Sequence, residues 1–256
     1  MRMNPAVSRA LDILETLVER PDPPTLRALT EELGLPRSTV FELTNTLAAR
    51  GYLVKSAKEP VTFTIGPRAF QLGSAFAERL DYVAIGSKTA QELSNRSLET
   101  SHVAILDGTH VVYIARAESQ HPVRMVSSLG SRLPAHATAV GKALIAQLSE
   151  EEFSARFPAD AELAPLTPNT IVDPARLAQE CARIRERGYS LEQCESNVDV
   201  CCAAAAVRDS AGKVVAAISV SVPENRWVTR PAEQWAELVL ESAGAYSRML
   251  GYAARS

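Results

Sequence analysis

The stretch "LGLPRSTVFELTNTLAARGYL", residues 33–53, carries polar side chains at a spacing suited to hydrogen bonding along one side of a helix. At 3.6 residues per turn, Ser38, Glu42 and Asn45 share that side with Ala49. Hydroxyl, carboxylate and amide groups in such a row can hydrogen-bond to the edges of DNA bases. A carboxylate at the centre is unexpected, because it would face phosphate groups of the same charge.

The segment "VVAAISVSVP", residues 214–223, alternates two hydroxyl groups with apolar side chains. In a β-strand, Ser219 and Ser221 point to the same face, so both hydroxyls can reach one cavity. Cys202 lies on the preceding predicted strand and could lie opposite them. A few polar groups in an apolar cleft are typical of a small-ligand site. Alternation alone also allows a second interpretation, in which both serines face solvent.

The four cysteines are confined to the last third of the chain, at Cys181, Cys194, Cys201 and Cys202. No second cluster completes the spacing of a zinc site, and we predict no metal and no cofactor. Adjacent Cys201 and Cys202 would point to opposite faces of a strand, so they are not expected to form a disulfide. Reduced thiols are the expectation for a cytosolic protein.

A thiol-dependent hydrolase is the alternative function from a different class, with Cys202 as nucleophile and His136 or His102 as its base. The sequence contains no nucleophile elbow, no metal-ligand spacing and no phosphate-binding glycine loop. A single cysteine and a single histidine on separate elements are more often structural. We therefore do not expect an enzyme.

Composition limits the class of protein. The 256 residues suffice for one large domain or two ordinary ones, and 46% hydrophobic with 22% charged residues argues against disorder. No apolar run is long enough to span a membrane, and the N-terminus lacks a signal-peptide core. These features predict a cytoplasmic protein without a membrane partner.

The charge distribution does not by itself predict nucleic-acid binding. The net charge is −3; residues 1–68 carry nine basic and eight acidic side chains, and the remainder carries 18 and 22. This asymmetry is too weak to decide the function, so a DNA-binding prediction must rest on the pattern of elements.

The N-terminal pattern predicts three helices and a hairpin. Asn4 with Pro5 begins the first helix, and Thr25 and Gly34 bound a short second one. The helix of residues 33–53 follows, and "YLVK" and "VTFTI" then alternate as two strands. This order is a winged helix-turn-helix, although any small helical domain with a trailing hairpin would share it. The apolar stripe of the first helix is Val7, Leu11, Leu14 and Val18, and that of the third is Val40, Leu43 and Leu47.

The next segment, residues 66–98, is predicted to be helical and to divide near Tyr82 into a linker helix and the first helix of a second domain. Its apolar anchors are Phe70, Phe76 and Leu80. The period then changes to two, which predicts successive strands in "SHVAILD", "HVVYIARAE" and "VRMVSS" with a turn at Asp107–Gly108.

Three helices and two further strands follow in the predicted second domain. The helices cover residues 138–148 and 149–157 and the segment from Asp173 to Gly188, and the strands are "VCCAAAAVRD" and "VVAAISVSVP". A last helix begins near Pro231. Strands and helices in this order favour an antiparallel sheet in an α+β domain.

Six stretches in this order resemble the IclR family of bacterial transcription regulators, across essentially the whole chain: "AVSRALDILETL", "LPRSTVFELTNTLAARGYL", "IGPRAFQLGSAF", "GSRLPAHATAVGKALIA", "RERGYS" and "AAISVSVP". The resemblance implies a winged helix-turn-helix domain over residues 1–67, a linker helix over 68–81 and a GAF-like effector-binding domain over 82–256. It also implies dimers, or dimers of dimers, formed through the N-terminal region. Two recognition helices related by a dyad would read a palindromic operator in double-stranded DNA.

The function that the resemblance implies is a sequence-specific transcriptional regulator, expected to be a repressor, controlled by a small effector such as an organic or aromatic acid. In the third helix, the first turn suits phosphate contact, and Arg37 could reach either a phosphate or a guanine. Asn45 suits an adenine edge, and lysines of the hairpin suit the flanking backbone. The predicted DNA-binding residues are Arg37, Ser38, Thr39, Glu42, Asn45, Lys55 and Lys58.

Glu42 departs from the family, which usually carries arginine at the matching position. It could accept a hydrogen bond from cytosine N4, or it could pair with Arg37 or another neighbour and orient that side chain. In a third interpretation it repels phosphates and leaves a ligand sensor with impaired DNA binding. The surrounding pattern favours the first two interpretations.

The effector site of the family maps onto seven positions of this chain: Leu133, Ala139, Val140, Glu192, Cys202, Ser219 and Ser221. Two nearby positions depart from the family, since Asp199 stands where glycine is usual and Ala206 where proline is usual. Glu192 would disfavour a ligand carboxylate nearby unless it is protonated or paired.

Overall fold

The structure is a computed structural model that describes residues 3–78, 81–122 and 128–253. Contacts divide the chain into two compact units, Met1–Leu80 and Asp81–Ser256. Within the described ranges, no helix combines the length and the apolar character needed to cross a lipid bilayer.

The first unit has the predicted order of helices followed by a hairpin. The two strands pair antiparallel, with Leu53 opposite Ile65. Its elements are α1 (Pro5–Glu19), α2 (Leu26–Leu33), α3 (Arg37–Ala49), β1 (Leu53–Lys55), β2 (Phe63–Ile65) and α4 (Pro67–Glu78).

Local capping sets where the first helices begin and end. The Asn4 side chain accepts the backbone N–H groups of Ala6 and Val7, which the first helical turn would otherwise leave unpaired. Thr25 caps α2 in the same way. At the other end of α2, Gly34 adopts φ 61°, a left-handed conformation that glycine takes without strain, and the chain turns directly into α3.

The predicted apolar stripe of α1 is wrong as a description of the buried side. Val7, Leu11 and Val18 are 57%, 51% and 65% exposed, whereas Ile13 and Leu17 lie in the core. The helix carries two apolar faces about a third of a turn apart, and periodicity does not show which of them meets its neighbours. In this unit the inner face packs with residues of α2, α3 and the hairpin.

The segment after the hairpin is helical, as predicted, in α4. Phe70 was expected to be an apolar anchor, and this is wrong, because its side chain is 78% exposed. The other expected anchors, Phe76 and Leu80, lie outside the described side chains. The assignment of residues 68–81 as a linker helix stays a prediction.

The second unit is built on a six-stranded sheet. In chain order its elements are α5 (Asp81–Ser97), β3 (Thr100–Asp107), β4 (His110–Ala117), β5 (Arg132–Pro134), α6 (Ala139–Ile145), α7 (Glu150–Arg156), α8 (Pro174–Arg187), β6 (Ser190–Gln193), β7 (Val200–Arg208), β8 (Val214–Pro223), α9 (Glu224–Trp227) and α10 (Ala232–Met249). The strand order is β5-β4-β3-β8-β7-β6, and every neighbouring pair is antiparallel.

Helices cover both faces of this sheet, which confirms the predicted α+β class. On one face the apolar side chains of the strands pack with α5 and α10 around Trp235 and Tyr246. On the other face they pack with α6 and α8 around Leu144 and Leu177. We call this second face the α6 face.

Three elements were not predicted, namely β5, β6 and α9. They have only three or four residues each, too few for a periodic pattern. The predicted strand "VRMVSS" covers residues 123–128, of which 123–127 lie outside the described residues. The remaining predicted strands and helices of this unit are confirmed, including α8 between Asp173 and Gly188.

Candidate recognition helix and ligand site

The third helix presents its predicted polar side to solvent. Val40 and Thr44 are fully buried, and they fix the rotation of α3 against the core of the first unit. Ser38 and Glu42 on the opposite side are exposed, and Asn45 is half-buried. The helix begins after Pro36, whose side chain cannot cap it, so no side chain accepts the N–H groups of the first turn.

Two of the predicted DNA-binding residues contact each other. Lys55, on β1, donates a hydrogen bond from Nζ to Oδ1 of Asn45. A bidentate contact with adenine requires both the carbonyl oxygen and the amide nitrogen of an asparagine. Lys55 occupies one of the two lone pairs of that oxygen, so Asn45 keeps its Nδ2 amide and one lone pair for an outside partner.

Glu42 has no such neighbour. Among the described residues its carboxylate forms no hydrogen bond or ion pair, and the proposed pair with Arg37 is absent; only the backbone oxygen of Glu42 accepts a bond, from Thr46. Arg37 and Lys58 are exposed as well. The structure thus leaves the Glu42 carboxylate available to an outside partner.

Strand pairing brings three of the predicted effector residues into one row. Glu192 on β6 lies opposite Cys202 on β7, and Cys202 lies opposite Ser221 on β8. Ser219 lies two residues away on the same strand, so its side chain is on the same face, the α6 face. Ser219 and Ser221 are 2% and 4% exposed, which excludes the interpretation that they face solvent.

The predicted apolar residues lie on the same face but not all at one point. Ala139 and Val140 begin α6 and are buried against the sheet, and Ser190 Oγ donates to the carbonyl oxygen of Ala139. Leu133 belongs to the edge strand β5, which β4 and β3 separate from β8. It therefore joins the same apolar cluster on this face from the far edge of the sheet.

A close approach of the backbone positions α6. A Cβ atom built on Gly141 would lie 2.2 Å from the carbonyl oxygen of Ala135. Glycine is therefore required for the helix to start this near the preceding turn, Ala135–Ala137. Thr138 caps the helix by accepting the N–H of Gly141.

Glu192 is a fully buried carboxyl group with one unpartnered oxygen. Oε1 accepts the backbone N–H groups of Glu195 and Ser196, the latter at 3.0 Å. Oε2 has no hydrogen-bond partner among the described residues. Removal from water raises the pKa of Glu192, because burial penalises the charged form more than the two N–H groups and the neighbouring Cys202 thiol stabilise it.

The turn that holds Glu192 is itself anchored to α6 and to the loop before α8. Lys142 of α6 is 1% exposed and its Nζ lies 2.5 Å from Oε1 of Glu195. The hydroxyls of Thr167 and Thr170 donate to the carbonyl oxygens of Cys194 and Glu195, both at 2.6 Å. Burial raises the pKa of Glu195, and the Lys142 ammonium opposes that effect.

His102, which was not predicted as an effector residue, lies beside the serines on the α6 face. It is opposite Ser219 in the register of β3 with β8, and its Nδ1 lies 3.2 Å from Oγ of Ser221. The ring of Tyr113 lies 5.0 Å away between centroids. Period-two alternation puts His102 on the same face as Thr100 and Ala104, but only the register brings it to Ser221.

The cysteines form no disulfide and contribute to no metal site. All four are free, and the Sγ atoms of Cys194 and Cys201 lie 3.7 Å apart. Within the described ranges, no cluster of histidine, cysteine or acidic side chains has the geometry to hold a metal ion. Cys201 and Cys202 point to opposite faces of β7, as predicted.

Both parts of the chain match known sequence families. Residues 6–57 match the model described as "IclR helix-turn-helix domain". Residues 74–248 match the model described as "Bacterial transcriptional regulator IclR C-terminal". This chain belongs to the IclR family. It is therefore a DNA-binding transcriptional regulator of the bacterial type with an effector-binding C-terminal domain.

Several named proteins are similar to this IclR-family regulator over nearly its whole length. The HTH-type transcriptional repressor AllR of Salmonella typhi is 36% identical over 246 residues, which cover 96% of this chain and 90% of that protein. AllR of Escherichia coli K12 is 34% identical over the same length and shares of the two chains.

Solved structures of the family share the fold. The Thermotoga maritima IclR structure has a TM-score of 0.75 at 28% identity and covers 96% of this chain and 98% of its own. An IclR homolog from Microbacterium hydrocarbonoxydans, complexed with 4-hydroxybenzoate, has a TM-score of 0.83 at 22% identity, with 96% and 98% coverage. At that identity the second likeness concerns the fold alone.

Proposed function

We propose that this IclR-family regulator is a repressor that binds a palindromic operator as a dimer, or a dimer of dimers, and responds to a small organic or aromatic acid. The observation that carries the proposal is the buried row of Glu192, Cys202 and Ser221 on the α6 face, combined with the exposed polar side of α3 in the other unit. The similarity to the AllR repressors supports the direction of control.

DNA contact is assigned to the exposed side of α3 and to the hairpin. The uncapped N–H groups at the start of α3, together with Arg37, Ser38 and Thr39, suit a phosphate group. Lys55 and Lys58 suit the flanking phosphates. Asn45 contributes an amide donor, and the unpaired carboxylate of Glu42 suits the amino group of cytosine.

The effector is assigned to the α6 face, between the serines and the first turn of α6. Ser219 and Ser221 offer hydroxyl groups, Ala139, Val140 and Leu133 offer apolar surface, and Cys202 lies between Glu192 and Ser221. Because the pKa of Glu192 is raised, its carboxyl group can be protonated when an anionic ligand binds beside it. The 4-hydroxybenzoate complex of the Microbacterium homolog illustrates a ligand of this class.

Dimer formation is assigned to the outer face of α1. Val7, Leu11 and Val18 together form an exposed apolar strip on this helix, and a second copy of the chain would remove it from water. This assignment agrees with a palindromic operator, because a two-fold axis relates both the helices and the half-sites.

A thiol hydrolase is not favoured. Burial raises the pKa of Cys202 and lowers the pKa of His102 to about 4, so both groups are neutral at pH 7. An activated thiolate needs the opposite shifts. We therefore propose that the chain is not an enzyme, and that it acts in the cytoplasm, where operators and metabolites meet.

Selection from a random pool of double-stranded DNA tests the DNA-binding part. The retained sequences should contain an inverted repeat. Binding to the most enriched sequence should weaken steeply as the salt concentration rises, since each phosphate contact releases counterions. Arg37→Ala is a variant that should bind less tightly without a change in the preferred sequence. Enrichment of a single unrepeated half-site, or no enrichment by a folded dimer, would contradict the proposal.

A further inference from the structure

The hydroxyl group of Ser221 lies between two polar side chains. Cys202 donates from Sγ to Ser221 Oγ at 3.3 Å, and His102 Nδ1 lies 3.2 Å from the same oxygen. His102 is 2% exposed and packs against the Tyr113 ring, so it is held in place on the α6 face. The direction of the Ser221 proton is therefore decided by its neighbours rather than by water.

His102 is neutral at physiological pH. Burial lowers its pKa to about 4, and the charge of Arg116, its cross-strand neighbour, acts in the same direction. A neutral imidazole carries its proton on one of its two nitrogens. Nδ1 therefore either donates to Ser221 or accepts from it.

The direction of the hydrogen bond between His102 and Ser221 determines what Ser221 can offer to a ligand. A serine hydroxyl has one proton and two lone pairs, and the Cys202 thiol occupies one lone pair. If His102 Nδ1 donates, it occupies the second lone pair, and the Ser221 proton must point to another acceptor. If Nδ1 accepts, it takes the proton, and Ser221 offers a ligand only a lone pair.

The arrangement in which Nδ1 accepts the Ser221 proton disfavours binding of an acidic effector. A ligand carboxylate on this face would then meet the lone pair of Ser221 beside the Glu192 carboxyl group in the same row. When Nδ1 donates instead, the Ser221 hydroxyl is free to donate its proton to the ligand carboxylate. The geometry thus links the tautomer of His102 to the class of ligand.

We infer that His102 is a specificity-determining residue of the effector site, which donates from Nδ1 to Ser221 and so directs the Ser221 proton to a carboxylate oxygen of the effector. This inference rests on the proposed function, because it assumes that the effector binds on the α6 face. His102 is a positioning residue here, since it acts through Ser221.

The tautomer can be measured without a ligand. The full-length protein would be labelled with ¹⁵N-histidine and its ring nitrogens observed by NMR; the chain has four histidines, so the signals of His102 are those missing from H102N. The expected result is a protonated Nδ1 and an unprotonated Nε2. The opposite tautomer would overturn the inference.

The consequence for ligands is tested with benzoate and benzamide, two probes that differ in the group facing Ser221. Binding would be measured by calorimetry for the wild type, H102N and H102L. Asparagine keeps an N–H donor near the position of Nδ1, whereas leucine has a similar size and no donor. We expect the preference for benzoate over benzamide to persist in H102N and to fall, by up to about tenfold, in H102L, which lacks the hydrogen bond that fixes the direction of the Ser221 proton.

A purely structural role would give a different result. In that case H102L would weaken both probes equally, and the unchanged ratio would overturn the inference. Thermal melting shows whether H102L is folded, and if it is not, the tautomer measurement decides alone.

Ser221→Ala separates failure of the inference from failure of the proposed site. If S221A weakens benzoate while H102L leaves the ratio unchanged, the effector site stands and the role of His102 is wrong. If S219A and S221A both bind benzoate like the wild type, the proposed site is wrong and the inference falls with it. A wild type that binds neither probe contradicts the aromatic-acid part of the proposed function. The NMR measurement of the His102 tautomer then tests the inference by itself.

Discussion

Glu192 combines two features that are rarely found together in a stable protein. Its carboxyl group is fully buried, and one of its oxygens has no hydrogen-bond partner among the described residues. Such an oxygen costs stability in the free protein, and a ligand that donates to it regains that cost. The residue is thus better suited to binding than to holding the fold together.

Replacement of Glu192 by glutamine should therefore stabilise the protein at neutral pH. The pKa of Glu192 is raised in the folded state, so the folded protein holds this proton more tightly than the unfolded chain. Its free energy of unfolding consequently falls as the pH rises from the unfolded pKa to the folded one. E192Q lacks this fall, and its advantage in urea denaturation should be smallest in acid and largest near pH 7.

Alanine at the same position is the contrasting variant. E192A leaves the N–H groups of Glu195 and Ser196 without an acceptor, which should cost about 1–3 kcal/mol. A glutamine variant that is as unstable as the alanine variant would show that the buried charge is not the reason for the pH dependence.

Glu42 should affect which sequence is bound more than how tightly DNA is bound. A good side-chain contact with a base edge discriminates by about 1–3 kcal/mol, so Glu42→Ala should flatten the preference at one base pair of each half-site. The measurement is repeated selection from random DNA, with Glu59→Ala on the exposed hairpin loop as control. An unchanged preferred sequence with higher affinity would instead indicate that Glu42 only repels phosphates.

At this scale the sequence predicted some residues of the candidate sites and missed others for a physical reason. Alternation along one strand is a local pattern, and it was enough to put Ser219 and Ser221 on one face. Glu192 was found only through the family resemblance. His102 was missed because its contact with Ser221 depends on the register between β3 and β8, and 119 residues separate the two positions.

Among the elements, α6 depends on a single glycine for its close approach to the preceding turn. Gly141→Ala would place a methyl group 2.2 Å from the oxygen of Ala135, so either the helix or the preceding turn must move. We expect a loss of about 1–3 kcal/mol in the free energy of unfolding and weaker binding of the effector. Gly73→Ala in α4 is the matched control, because the added methyl group would have nothing within 4 Å apart from its chain neighbours and the backbone of its own helix.

The control variant G73A should slightly increase the free energy of unfolding. Alanine in a helix is more stable than glycine by about 0.5–1 kcal/mol. If G141A and G73A had the same effect in thermal melting, the close approach of α6 would not matter for stability.

Long elements were predicted from the sequence more accurately than short ones. Helices such as α8, with an N-cap, a proline and a terminal glycine, were located closely, because each signal has a local physical cause. The short strands β5 and β6 lack such signals and form only by pairing with a longer neighbour. In α1 the pattern correctly predicted a helix but not its buried side, because that choice depends on what packs against it.

For the whole molecule, the exposed strip on α1 is expected to control assembly. Leu11→Asp places a charge in the strip, where burial by a second copy would be unfavourable. Light scattering should show a shift toward the monomer, and operator affinity should fall because only one half-site is bound at a time. Leu166→Asp, an exposed apolar position of the second unit, is the control and should leave the mass unchanged.

The pairing of β3 with β8 has a consequence for synthesis of the protein on the ribosome. All elements of the first unit lie within the first 80 residues, whereas the α6 face cannot be completed before β8 has been made. At about 5–20 residues per second, translation leaves an interval on the order of ten seconds between the two events. Proteolysis of stalled nascent chains would show the first unit protected early and the second only after residue 223. During that interval a newly made chain already carries its proposed recognition helix but has no means of sensing a metabolite.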